Sequence, residues 1–574
     1  MKRHNRDDYY VAGEGILAFD DHGNAAVIRP SSAADARKFR FSRLGPQGEP
    51  VDDAERVIFE SVATAMTVEP PGGDPDSAQA PDGRPGIPAG FTYLGQFVDH
   101  DLTKDVTADQ LGQDVTVEEM LQGRSPALDL DSLYGRGPGK DPQFYAADGL
   151  HLRTGTTTAV PAGAPGGDIP FTSADREGFD LPRAGAGSTP AQRRLADIPD
   201  QRNDENLAVA QTHLAFIRFH NRVVDKLAGT TPSALLFTTA RETVVKHYQW
   251  MLATDFLPRI ADPDIITDVF TNGRKFFEVP AGYDNPGWYP APGDSRAGPD
   301  DRPTMPVEFS VAAYRLGHSM VRSAYNWNAV FNTKKIPASL LLLFAFSGTS
   351  GILAPPASPD QLNDPAAGAT RLPGNWVADF RRLYDFTEAG RDDLTVPGDD
   401  FNIAKRIDTL LVNPLQQLPL GAFGGRDAAV RARGRELNLA FRNLTRAGMV
   451  RLCSGQQLAE QFGLPPLDSG QILAGDGGAS LDGLADDQQK HFTQNTPLWF
   501  YILREAELNG GRLTGVGGRV VAEVFQRAME GSRASIVKDP GWRPSLGPDC
   551  STFRMTDLLL FAFENNKELL APLG

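Results

Sequence analysis

Tyr93-Leu94-Gly95-Gln96-Phe97-Val98-Asp99-His100-Asp101-Leu102 sets one of the chain's nine histidines between two carboxylates. On a helix, neighbours in sequence point about 100° apart, so Asp99, His100 and Asp101 address three different surroundings. Gln96 and His100, four apart, share one face. A single turn can therefore serve two separate sites. Imidazole is the side chain best able to move a proton near neutral pH, and a carboxylate on the next residue can act on another ligand without neutralising it. The rest of the chain must supply the two ligands, on a scaffold of helices.

Outward from that turn, the hydrophobic spacing is mainly helical. Leu207, Ala210, Leu214, Ile217 and Val224 hold one face from residue 206 to about 227, which reads as a long core helix. Similar patterns lie near 234–256, 309–322, 427–447 and 518–530, while sustained period-two alternation is scarce and no internal repeat is visible. Residues 1 to about 55 are polar and punctuated by Gly and Pro, 70–90 carry a Pro/Gly/Asp cluster, and 154 to about 199 are loop-like. The fold class expected is mainly α, a large single domain with long surface loops and little β. The division expected is an N-terminal extension over residues 1–59 and one domain over 60–574.

Composition bounds the partners. A hydrophobic fraction of 40% with 23% charged residues describes an ordinary globular chain, large enough at 574 residues to bury a cofactor-sized cavity as well as a core. Fifty-seven Lys and Arg against 73 Asp and Glu leave a net charge of −16, which repels phosphate backbones and argues against nucleic acid. Cys453 and Cys550 are too few for a disulfide framework, and spacing leaves open whether they pair. The charged start Met1 to Asp8 has no apolar stretch behind it, so a classical signal peptide is not expected. The strongest apolar run, Leu340 to Phe346, is too short to span a bilayer and reads as a buried helix. Compartment and oligomeric state stay open.

Three further constellations carry polar chemistry. In Arg202-Asn203-Asp204-Glu205-Asn206, Asp204 or Asn203 can cap the long helix, and Arg202 and Glu205, three apart, can face one neighbour. An isolated motif of this kind is equally a capped helix with a local ion pair. In Tyr314-Arg315-Leu316-Gly317-His318, the histidine shares a face with Tyr314 and Arg315, and Gly317 lets a flat ligand or a second backbone approach. Alone, His318 reads first as a satisfied core histidine and only second as a metal ligand. In Ser125-Pro126-Ala127-Leu128-Asp129-Leu130-Asp131, oxygen donors recur at 125, 129 and 131 as calcium requires, without the Gly and closing Glu of an EF-hand. A solvated Asp-rich turn would look similar.

Taken in order, these pieces resemble the animal-type, myeloperoxidase-like haem peroxidase family of the peroxidase-cyclooxygenase superfamily, including its bacterial members, over roughly residues 60–574. The resemblance implies His100 as distal histidine, Arg202 as catalytic arginine and Gln96 as a halide-site contact. It makes His318 the proximal iron ligand, with Asn443 of Arg442-Asn443-Leu444-Thr445-Arg446 holding that histidine. Arg315 and Arg446 would meet haem propionates. Asp101, Ser125, the Ala127 carbonyl, Asp129 and Asp131 would ligate Ca2+. Asp99 and Glu205 occupy the family's ester-forming positions, so the implied cofactor is haem b bound covalently. Asn206 stands where a sulfonium-forming Met follows that Glu in myeloperoxidase, which disfavours chloride oxidation.

The implied activity is reduction of hydrogen peroxide with oxidation of halide, thiocyanate or small organic donors through a ferryl haem. A fatty-acid dioxygenase of the same superfamily is the nearest alternative. It calls for a tyrosine three residues before the proximal histidine, where this chain has Arg315; Tyr314, one residue off, points about 100° away from that position. His100-Asp101 is also the dipeptide of HD-type phosphohydrolases, with His213 and His220 as candidate metal donors. A non-catalytic calcium-binding interaction protein is the remaining reading.

Overall fold

Helices carry the fold in the computed structural model, which describes residues 41–67, 85–107, 111–117, 119–279, 303–353, 368–418 and 434–574, with the backbone of 9–11, 15–19 and 25–28. Among them are α1 (Asp53–Thr67), α2 (Gly90–Leu102), α3 (Leu207–Leu227), α4 (Ser233–Met251), α5 (Leu340–Ala345), α6 (Leu439–Met449), α7 (Leu498–Leu508), α8 (Gly515–Gly531) and α9 (Met555–Ala562). The expected helices at 206–227, 234–256 and 518–530 correspond to α3, to α4 with its continuation, and to α8. Helix α3 is the central strut: α2, α4 and α9 all pack on it. Helix α1 packs on α6, and α7 on α8. The mainly helical class with little strand holds.

Several boundaries differ from expectation, each for a local reason. Helix α6 begins at Leu439 rather than near 427, because Asn438 Oδ1 accepts from Ala440 N at 2.9 Å and caps it; residues 427–433 lie outside the described residues. The 309–322 pattern is not one helix. It is a π-turn over Glu308–Ala312, a 3-10 turn over Ala313–Leu316 and an α-turn over Gly317–Met320. Glu308 is buried and accepts Leu44 N at 2.9 Å and Gly45 N at 3.0 Å, so a distant segment fixes the start of this stretch. The loop-like 154–199 region holds the strands Gly155–Thr156 and Glu177–Asp180, paired antiparallel, and the helix Pro190–Arg194. Most of 70–90 lies outside the described residues.

The N-terminal part contains an element that periodicity did not reveal, an antiparallel sheet of Tyr9–Val11, Gly15–Phe19 and Ala25–Ile28 with Tyr9 opposite Leu17 and Ile16 opposite Ile28. Phe41–Ser42 pairs in parallel with Met305–Pro306, and Arg43 donates to Arg451 O at 2.8 Å and Val450 O at 2.6 Å. A division at residue 59 would cut α1, so residues 41–59 pack with the body. Cys453 is buried and Cys550 exposed, and both are free thiols. No described helix is long and apolar enough to cross a membrane.

Helix α2, which positions the site, is held from both ends. Its N-terminus has no side-chain cap; instead Ala89 N and Gly90 N each donate at 2.9 Å, to Asn402 O and Leu383 O. Tyr384 Oη donates to Gly90 O at 2.8 Å, and a Cβ on Gly90 would fall inside that ring. At the other end Gln122 Nε2 donates to Leu102 O at 2.9 Å, and Arg202 Nη2 donates to His100 O at 3.2 Å and Thr103 O at 2.6 Å. A cation at the C-terminal carbonyls complements the helix dipole.

Candidate active site

One face of α2 and the 308–320 stretch line the same cavity. Thr92, Gln96, Asp99 and His100 enter it from α2, Glu205 and Asn206 from the approach to α3, and Tyr314, Arg315, Gly317 and His318 from the broken helix. Phe91, Phe256, Leu340, Phe344, Leu418 and Leu439 add apolar wall. The two imidazoles expected to work together thus share one space, carried by different elements.

His100 is set up as a base. Its Nδ1 lies 2.8 Å from Asn203 Oδ1, and because an amide oxygen only accepts, Nδ1 carries the proton and Nε2 keeps its lone pair. Burial first, and the Arg202 charge second, push its pKa down to about 3, so the ring is neutral over the ordinary pH range. Nε2 is 3.8 Å from Glu205 Oε1. Burial raises the Glu205 carboxyl to about 8, against the lowering effects of Arg202 and Gln96, so this contact joins two neutral groups at pH 7 and is no ion pair. Gln96 Nε2 donates to Glu205 Oε1 at 2.6 Å and Asn206 Nδ2 donates to Gln96 Oε1 at 2.9 Å, which ties Gln96 across the wall. Burial also raises the Asp99 carboxyl, opposed by Arg315 and Arg202.

Around Arg202 the structure revises the expected capping. Asn206 caps α3, accepting Val209 N at 3.0 Å. Asp204 pairs with Arg183 and accepts Gly348 N, and Asn203 serves His100. Arg202 and Glu205 do not address one neighbour: Glu205 lines the cavity, whereas Arg202 binds Asp200 through Nε at 3.1 Å and Nη2 at 2.8 Å and is absent from the cavity lining. Burial opposes ionisation of Asp200, but Arg124, Arg202 and Lys104 together hold its carboxyl well below the usual range. Arg202 Nη1 takes part in none of these bonds, and 28% of the side-chain surface stays accessible. Asn203 and Asp200 are the residues that sequence reasoning missed in these roles. Their only sequence signal is proximity to Arg202.

On the His318 side, Asn443 Nδ2 lies 2.9 Å from His318 Nδ1. As placed, the amide donates to Nδ1; a half-turn of the amide exchanges its nitrogen and oxygen and lets it accept from Nδ1 instead. Either way Asn443 engages Nδ1, so Nε2 is the ring nitrogen available to a ligand. Burial, then Arg315, lowers the His318 pKa to about 3, which keeps the ring neutral; Nε2 carries the free lone pair when the amide oxygen faces Nδ1. Arg315 Nε donates to Ser310 O at 2.9 Å. Tyr314 overturns the 100° argument: π and 3-10 pitches replace the α pitch here, and both Tyr314 and Arg315 line the cavity. Arg446 sits apart from the lining, paired with Asp105 at 2.6 Å and 40% accessible. A Cβ on Gly317 would meet nothing within 4 Å, so open space lies against that backbone. An imidazole nitrogen, a glycine-floored gap and apolar walls fit a flat iron macrocycle.

Asp101, turned away from His100 by one residue, joins Asp129 and Asp131 with carboxylate oxygens within 4.8 Å of one another, all buried. Leu130 adopts a left-handed conformation, φ 59°, between the two loop carboxylates. Ser125 N donates to Asp131 Oδ2 at 3.1 Å and Ala127 N to Ser125 Oγ at 3.4 Å, so both expected loop residues sit at the cluster's edge. Burial, then Asp131 and Asp129, drives the Asp101 carboxyl well above its ordinary range, a repulsion that a hard cation relieves. Among the described residues no histidine joins this cluster. His220 instead packs structurally, Nδ1 3.0 Å from Tyr134 Oη and Nε2 2.9 Å from Leu150 O, while His213 lies against Phe97. The HD-type metal reading therefore fails.

Comparison with known proteins agrees with this geometry. Residues 96–349 match the model of the animal haem peroxidase family, a span that contains His100, the carboxylate loop, Arg202 and His318. A peroxidase-like protein of Margaritifera margaritifera is 32% identical over 142 residues, 24% of this chain and 16% of that one. Thyroid peroxidase of Rattus norvegicus is 28% identical over 209 residues, 35% of this chain and 20% of that one. These matches thus span a fifth or less of the relatives' length. Peroxidase A of Dictyostelium discoideum shares the fold, with a TM-score of 0.53 at 14% identity over 93% of this chain and 94% of that one. Over residues 96–349, somewhat under half of its length, the chain is thus similar to the animal haem peroxidase family.

Proposed function

We propose that this chain is a haem peroxidase that reduces hydrogen peroxide and oxidises halide, thiocyanate or small organic donors. The observation that carries the reading is the shared cavity of His100 and His318, with the His100 proton held on Nδ1 by Asn203. Haem, when bound, supplies the electrons that reduce the peroxide oxygen. His318 would hold the iron through Nε2, steadied at Nδ1 by Asn443. His100 Nε2 takes a proton from the incoming peroxide and returns it to the departing oxygen, first as base and then as acid. Arg202 holds the end of α2 in place and presents its remaining guanidinium nitrogen as a positive charge near His100. Gln96 orients Glu205 and stands beside His100 as a contact for a small anion.

Covalent haem and calcium belong to the same proposal. Asp99 and Glu205 both line the cavity with carboxyls that burial pushes toward the neutral acid, the form suited to ester bonds. Asp101, Asp129 and Asp131, with Ser125 and Ala127, would take Ca2+. The test is the spectrum of purified protein loaded with iron protoporphyrin, before and after peroxide. A Soret band that shifts on peroxide and recovers with iodide or an organic donor supports the proposal. A His318→Ala variant with an unchanged band would overturn it.

A second reading, fatty-acid oxygenation, gains from one observation, the hydroxyl of Tyr314 in the cavity wall. Oxygen uptake with a polyunsaturated fatty acid and no added peroxide would favour that reading.

A further inference from the structure

Two hydroxyls in the cavity wall find no hydrogen-bond partner among the described residues. Tyr314 Oη and Thr92 Oγ1 are buried and make no hydrogen bond, and both residues line the cavity of His100 and His318. Thr92 precedes Gly95 by three residues on α2, so the two lie on one helical face. A Cβ on Gly95 would stand 3.9 Å from Tyr314 Oη, so the phenol reaches that same face. The phenol ring is fixed, stacked on Phe309 with centroids 4.7 Å apart and tilted against Phe525 at 5.4 Å. A ring so held cannot carry its hydroxyl out to water; only the O–H can rotate. Buried polar groups without partners are rare in native proteins and costly to keep, and a phenylalanine would fill the same volume without that cost.

We infer that Tyr314, assisted by Thr92, is a ligand-anchoring residue whose hydroxyl donates to a carboxyl oxygen at the edge of the macrocycle lodged between α2 and the 308–320 stretch. Asp99 lies four residues beyond Gly95 on α2 and lines the same cavity. The accepting oxygen belongs either to the macrocycle's own carboxylate or to the Asp99 carboxyl beside it. This rests on the haem reading. It adds that the haem-free chain carries a destabilising hydroxyl whose cost binding removes.

The anchoring idea makes the sign of one substitution depend on the ligand. Tyr314→Phe and Thr92→Val would be prepared as full chains without haem and after loading with iron protoporphyrin IX, with thermal melting and haem transfer to apomyoglobin as readouts. Without haem, each variant should melt above the parent. With haem the gain should disappear, and haem should leave roughly two- to tenfold faster, the effect of one neutral hydrogen bond. Repeating the transfer, before any peroxide treatment, in an Asp99→Ala background separates the two oxygens: acceleration that persists places the acceptor on the macrocycle, and acceleration that vanishes places it on Asp99. If both variants melt above the parent in both states and release haem at the parental rate, the anchoring role is wrong while the haem reading stands. If the parent takes up no haem, both fall together.

Discussion

Replacing Asn203 by alanine tests the preparation of His100 most directly. The 2.8 Å bond from His100 Nδ1 to Asn203 Oδ1 is the contact that holds the proton away from Nε2. A neutral hydrogen bond nets about 0.5–1.5 kcal/mol, and about 1.4 kcal/mol is a factor of ten in population. Asn203→Ala should therefore lower the ratio of the tautomer with a free Nε2 to its alternative by roughly two- to tenfold, and the second-order constant for peroxide by up to that factor. Complete loss of the base, in His100→Ala, bounds the effect at roughly 10²–10⁴-fold. The assay is stopped-flow mixing of haem-loaded protein with low peroxide, followed in the Soret region. Asn203→Asp supplies a sign test. His100 is neutral above a pKa of about 3, so the parent should keep its rate well into acid; a carboxylate at 203 favours the imidazolium and moves the acid limb to higher pH. An Asn203→Ala constant within twofold of the parent, with an unmoved acid limb in Asn203→Asp, would refute the reasoning.

Chelation should lower the melting temperature, and calcium should restore it; at a hundredfold excess over its dissociation constant the cation is worth about 2.7 kcal/mol. Asp129→Asn, which removes one of the three clustered carboxylates, should blunt that recovery. Glu205→Gln should raise the share of haem that acid-acetone extracts after peroxide treatment, since the amide cannot form the proposed ester; unchanged extraction would dismiss Glu205 as a link. Gly90→Ala should destabilise by about 1–3 kcal/mol in denaturant titration, because the new methyl meets the Tyr384 ring.

What the sequence disclosed was local. The 3.6 period marked α3, and the spacing of Gln96 to His100 put both on the cavity face of α2 because a straight helix obeys its own phase. The misreadings around the site share a cause, partners far away in the chain. Nothing between residues 309 and 322 announces a π-turn, whose buried Glu308 is gripped by backbone 264 residues away at Leu44. Asn203 looks like a helix cap until the fold brings it to a histidine 103 positions earlier. The three short N-terminal strands are too brief for alternation to stand out. Arg202 was legible as a residue but not as the brace of another helix's end.

Because His100 and Asp101 are consecutive on α2, the azimuth of this one helix sets the identity of two compartments at once. Inserting or deleting a single residue between Gly90 and Gln96 would rotate the remainder by about 100° against its fixed start, carrying an aspartate toward the place of the histidine. Point changes along α2 can be absorbed singly, but a change in its length scrambles both compartments together. A change of length in a loop outside this helix carries no such rotation.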